Sequence, residues 1–152
     1  MIDSRKQLVI NAIKLFDQKA NELISLLADE FDLDLNQANP FSKLLSRQND
    51  LWKGNLKNNW TYKFHGDSCE FVNIVTDQFL DIKINRNGNY GVIDYYSLFR
   101  FIETTESLNL LENIRPKEIL YEILDELAME NVIIDIGEFP FRTKVLNYKM
   151  ID

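Results

Sequence analysis

A single cysteine, Cys69, and a single histidine, His65, leave this 152-residue chain poor in the side chains that most often carry chemistry. One cysteine excludes a disulfide within the chain and suits a reducing compartment. A zinc site draws on several Cys and His ligands, and here there is one of each. Five glycines leave little room for a phosphate cradle. No Walker loop, dinucleotide fingerprint, Gly-x-Ser-x-Gly elbow or His-Glu-x-x-His occurs. No apolar run approaches the roughly 18 residues of a membrane span. The opening residues Met1 to Lys6 include three charged side chains, Asp3, Arg5 and Lys6, and lack the apolar core of a signal peptide. These absences predict a cytoplasmic chain with no membrane partner, no cofactor, no metal and no catalytic residues.

What is present is enough to fold. Apolar residues make up 45% of the chain and charged ones 27%, with ten Phe, six Tyr and two Trp, far from a disordered composition. The length suits one domain, residues 1–152. The formal charge is −7 and unevenly spread. Residues 1–39 carry four basic and seven acidic side chains, residues 40–90 seven and five, and residues 91–152 six and twelve. Nucleic-acid binders show a basic face, so we expect no nucleic acid and instead a basic protein partner drawn by the opposite field.

Val9, Ile13, Phe16, Ala20, Leu23, Leu27 and Phe31 recur at steps of three and four, which predicts one long helix from Ser4 to Phe31. Asn39-Pro40 opens a short helix through Leu45, and Gly54 with Asn55, Asn58 and Asn59 marks a loop. The period then drops to two. Trp60–Phe64, Cys69–Val75 and Phe79–Ile84 read as an antiparallel meander. Asn87-Gly88 reads as a hairpin turn leading to a fourth strand over Tyr90–Ile93. Asp94 caps a helix using Tyr95, Leu98, Phe99 and Ile102. Pro116 starts another, running to Met129 with Ile119, Leu120, Ile123, Leu124 and Leu127 inward, and Asn131 ends it. Val132–Ile136 and Phe141–Leu146 close the chain as strands. Segregated elements of this kind predict an α+β fold: an antiparallel sheet of four to six strands packed against the long N-terminal helix and further helices.

Three constellations invite a functional reading. His65, Asp67 and Cys69 lie within five residues, and a Cys–His pair is one route to a nucleophile, with Asp67 or Glu70 orienting the histidine; a strand–turn–strand with a partly buried Cys is the plainer reading. Asp32, Asp34 and Asn36 open like a calcium loop, but Gln37 and Lys43 stand where that loop needs glycine and glutamate. The third is a ladder. Glu118, Glu122, Glu126 and Glu130 follow at four-residue spacing with Asp125 beside them, and Lys117 is the only basic residue of that helix. Each like-charge contact costs roughly 0.2–0.5 kcal/mol. Relief comes from another segment's lysine or arginine, from water and salt, or from a cationic partner, and these five acids are our partner-binding residues. Asp29, Glu30, Asp32 and Asp34 form a second acidic cluster. Trp52, Trp60, Tyr95, Tyr96 and Phe99 read as core rather than as a stacking platform for bases.

The aromatic run Trp60–Phe71, with His65-Gly66 then Cys69, followed by Asp94-Tyr95 opening a helix, resembles an uncharacterised bacterial domain family of similar size. That family has a His-Gly-x-Gly-Cys turn; Ser68 replaces its second glycine here. The resemblance implies an immunity protein of a polymorphic toxin or contact-dependent inhibition system, which would occlude a nuclease-type toxin with carboxylates in place of phosphates. The competing expectations are a small enzyme built on His65 and Cys69 and a homo-oligomeric scaffold.

Overall fold

Helix α1, Ser4–Glu30, forms where the three-and-four spacing of apolar residues ends on a run of acids. The computed structural model describes residues 4–36, 53–65, 68–83, 92–105, 118–130, 134–135 and 145–147. Val9, Ile13, Phe16, Ala20, Leu23, Ile24 and Leu27 are buried along one stripe, while Lys14, Gln18, Asn21 and Ser25 face solvent. The helix stops in a Schellman motif. Asp32 adopts φ 55°, its amide donates to the Asp29 carbonyl, and the Leu33 amide reaches back to Ala28 at 2.8 Å. Asp34 Oδ1 accepts from the Asn36 amide at 2.9 Å, so this acidic segment builds the helix end.

The chain is α+β and divides into two compact units, residues 19–91 and residues 1–18 with 92–152. The first unit holds a four-stranded antiparallel sheet in the order β1-β2-β3-β4: Lys53–Asn55, Trp60–His65, Ser68–Asn73 and Phe79–Lys83. Its register pairs Tyr62 with Phe71 and Phe71 with Leu80, and it pairs Phe64 with Cys69 and Cys69 with Ile82. One face is therefore apolar and buried: Trp60, Tyr62, Phe64, Cys69, Phe71, Leu80 and Ile82. The rows of the opposite face carry Lys63, Glu70 and Asp81 side by side in register. Tyr62 meets Phe31 edge to face at 5.6 Å and Phe64 at 5.9 Å.

Two turns close the same end of this sheet. Between β1 and β2, Asn58 and Asn59 both take positive φ, 62° and 68°, as a type I′ turn demands, and the Trp60 amide donates to the Lys57 carbonyl. The loop expected from Gly54 onward is shorter than the sequence suggested. Gly54 and Asn55 belong to β1, because Tyr62 lies opposite Gly54 and fills the space beside it.

The second unit pairs β5, Val92–Asp94, and β6, Ile134–Asp135, on either side of β7, Val145–Asn147, all antiparallel. The strand expected to extend the meander is thus present at residues 92–94 but joins the C-terminal strand instead. Helix α2, Tyr95–Glu103, buries Leu98, Phe101 and Ile102, and Phe101 sits edge to face with Phe16 of α1 at 5.2 Å. Helix α3, Glu118–Met129, buries Leu120, Ile123, Leu124 and Leu127. Truncating any of these leucines to alanine removes roughly 2–5 kcal/mol. Among the described residues, no helix is long and apolar enough to cross a membrane. The expected short helix from Asn39-Pro40, the Asn87-Gly88 turn, and the placements of Trp52, Pro116 and Asn131 lie outside the described residues.

Candidate functional site

Burying Leu120, Ile123, Leu124 and Leu127 turns the rest of α3 outward, so the glutamates fall where their spacing predicts. Glu122, Asp125, Glu126 and Glu130 are exposed. Glu118 opens the helix one turn before Glu122. Two large apolar side chains share this outward surface, Tyr121 at 39% exposure and Met129 at 78%. Tyr121, Asp125 and Met129 make one i, i+4, i+8 row, and the glutamates make the next. The face therefore combines carboxylates with exposed aromatic and thioether surface, residue types enriched at protein interfaces.

The ladder has a remedy inside the chain: of the three routes to relief, a lysine from another segment is present at its C-terminal end. Lys6, in the first turns of α1, places Nζ 3.3 Å from Glu126 Oε2 and 2.5 Å from Glu130 Oε1. The hydrogen bond to Glu130 is the largest influence on the Lys6 ammonium; burial opposes it, Glu126 adds to it, and the net effect raises its pKa above 10.5. Helix ends explain the choice of residue. A helix C-terminus is a partial negative pole, and α3 has no basic residue in its last turn. Glu126 and Glu130 at that pole need a cation, and α1 has no acid in its first turn to compete for Lys6. The relief is partial. Glu126 and Glu130 keep 58% and 44% of their side-chain surface open to solvent, and no ion pair among the described residues reaches Glu122.

Cys69 lies at the opposite chemical extreme from an activated thiol. It is fully buried, with Sγ 3.9 Å from the Glu70 carbonyl. Burial, aided by the charges of Asp81 and Glu70, drives its pKa far above the ordinary 9.0, against a smaller opposing hydrogen bond from the Lys63 backbone. Reactive cysteines show lowered pKa values and access to solvent. The register sets Phe64 against Cys69 and His65 against Ser68, one residue out of phase. Among the described residues, no three His, Cys, Asp or Glu side chains gather as a metal site requires. Trp60 is core, as expected.

Three features escaped sequence reasoning. Lys6 is separated from Glu130 by 124 residues, and only the bare basic start of α1 hints at it. Tyr121 and Met129 read as ordinary members of an amphipathic helix. Asn73, buried at the end of β3, braces both turns of the first sheet, and nothing local singles it out. Comparison with curated proteins and with solved structures gives no significant match. A family model does match, over residues 9–147, and by it the chain belongs to a domain family of unknown function, DUF6896.

Proposed function

We propose that this chain is a non-catalytic binding protein that presents the outward face of α3 to a basic protein partner, and that it serves as an immunity protein whose acidic surface occludes a nuclease-type toxin. The observation that carries the reading is the coincidence of Tyr121 and Met129, exposed at 39% and 78%, with Glu122, Asp125, Glu126 and Glu130 on one helix face. The net charge of −7 supports it through long-range attraction of a cationic surface. Glu118, Glu122, Asp125, Glu126 and Glu130 are the contacting residues. Lys6 moves the centre of this surface towards Glu122, since a partner's cations meet less competition there than at Glu126 and Glu130.

The test begins with the gene immediately upstream, where this reading expects a large secreted protein whose C-terminal domain is the toxin. Association of the two proteins is measured by stopped flow at low and high salt. Close charge pairs across such interfaces couple by about 1.5–7 kcal/mol and act strongly on the rate of association. Reversal of Glu118, Glu122 and Glu126 to lysine should slow association and flatten its salt dependence. Unchanged binding by that triple variant removes α3 from the interface, and no binding by the wild type removes the immunity reading itself.

A further inference from the structure

Ile74 and Val75 are the most exposed aliphatic β-branched residues described, at 66% and 70%, and they stand in a turn. Tight turns favour Gly, Asn, Asp, Ser and Pro; β-branched residues favour strands. The pair follows β3 directly, yet the strand ends at Asn73. The turn that displays them is held from several sides. Asn73 Oδ1 accepts the amides of Val75 and Thr76 at 3.0 and 3.1 Å. The Asp77 amide donates to the Asn73 carbonyl at 2.8 Å, and the Gln78 amide donates to Thr76 Oγ1 at 3.3 Å. From the neighbouring β1–β2 turn, the Asn59 carbonyl accepts the Ile74 amide at 2.9 Å and the Asn58 carbonyl accepts Asn73 Nδ2 at 3.2 Å. Asp77 takes φ 63° to close the loop. Two aliphatic side chains are thus presented to water by a backbone with little freedom left.

We infer that the β3–β4 turn is a pre-organised recognition tip that seats Ile74 and Val75 in an apolar, uncharged pocket of a partner protein. Fixing the backbone in advance lowers the ordering cost of binding, which is what the Asn73 network achieves. The rim selects the pocket's chemistry. Asn58, Asn59 and Thr76 offer amide and hydroxyl groups, and Lys57 and Asp77 cancel in charge. In a chain of charge −7 such a neutral patch does not attract cations, so this surface is separate in kind from the α3 face. A second copy meeting tip to tip would set one convex turn against another and leave Ile74 and Val75 partly wet. Anionic membrane is disfavoured by the net charge. A concave protein pocket encloses the same two side chains almost completely.

The experiment places a photoreactive benzophenone amino acid at Val75 of the full chain, in the cells that naturally make it, with the same probe at exposed Ser25 of α1 as control. Support is an adduct with another protein from position 75 only, whose attachment site maps by peptide mass spectrometry to an uncharged apolar pocket. Ile74→Asp, beside the probe, should lower the adduct yield about tenfold or more, because it drives a carboxylate into that pocket. Its thermal midpoint should move by no more than about 2 °C, as fits an exposed position; Ile74→Ser serves if the aspartate variant is less stable than that. No adduct, the same adduct from position 25, or an adduct with lipid or with a second copy overturns the inference.

Discussion

The ring of Tyr62 occupies the space that a β-carbon on Gly54 would need. An added Cβ would lie 2.5 Å from the Tyr62 hydroxyl and 2.8 Å from two ring carbons. The ring cannot swing aside, because Tyr62 is buried and meets both Phe31 and Phe64 edge to face. Glycine in β1 is therefore a packing requirement, with an aromatic from the paired strand covering it.

Gly54→Ala should cost about 1–3 kcal/mol, the range for forcing extra volume into a packed site. Urea unfolding measures it. A double-mutant cycle with Tyr62→Leu supplies the check on cause. Removing the ring opens the space, so the alanine should cost much less in that background. Equal costs in both backgrounds would separate Gly54 from Tyr62.

A similar argument applies to Asn73, whose side chain bonds to both turns. Asn73→Ala removes an acceptor for two amides and a donor to the Asn58 carbonyl, and should destabilise by about 1–3 kcal/mol. Asn73→Asp keeps the acceptor and loses the donor. Amide hydrogen exchange tells the two apart: Val75 and Thr76 should lose protection with alanine and retain most of it with aspartate.

These contacts mark the boundary of what the residues alone disclose. Helix α1 and the buried side of α3 are legible because a 3.6-residue period needs only local sequence, and β2, β3 and β4 follow from alternation. Pairing over long range is not legible in that way. Val92–Asp94 alternates like any strand, but its partner is Val145–Asn147, and no period names a neighbour fifty residues away. Ile74 and Val75 read as strand by propensity. The Asn73 side chain takes their region's amides instead, a local competition that propensity does not weigh. At the α3 face the glutamate ladder was legible from spacing, whereas its cation arrives from the other end of the chain.

Alkaline pH should lower the protein's stability progressively, through three groups that enter in the order of their ordinary pKa values. Cys69, Tyr62 and Lys6 all have pKa values raised above their ordinary 9.0, 10.0 and 10.5. Burial is the first cause for Cys69 and Tyr62, and the hydrogen bond to Glu130 for Lys6. A raised folded-state pKa gives stability that is whole below the unfolded value and is lost as pH climbs through the folded one. Loss therefore starts near pH 9.0 with Cys69. Its slope approaches about 1.4 kcal/mol per pH unit once the unfolded thiol is ionised. Cys69→Ala should delay the decline to about pH 10, where Tyr62 takes over. Stability curves from urea titrations between neutral pH and pH 11 test this, and a variant that declines alongside the wild type from pH 9.0 would count against it.

Lys6 supplies the sharpest test of how the acidic face works, because the same ammonium both quiets the ladder and competes for it. Lys6→Met keeps the aliphatic stem while removing the charge that sits between Glu126 and Glu130. Stability should fall modestly, and the loss should shrink in high salt as exposed charges are screened. Binding should move the other way. With Glu126 and Glu130 released, a basic partner gains two carboxylates that no longer have to leave an internal lysine, so association should quicken and affinity rise severalfold, with steeper salt dependence. Glu122→Gln is the counterpart, since it removes a carboxylate that no described cation neutralises, and it should weaken binding without touching the Lys6 pairs. Opposite shifts in affinity from these two exposed substitutions would identify α3 as the binding face. Parallel shifts, or none, would leave the glutamates as a solvated helix surface held in place by Lys6.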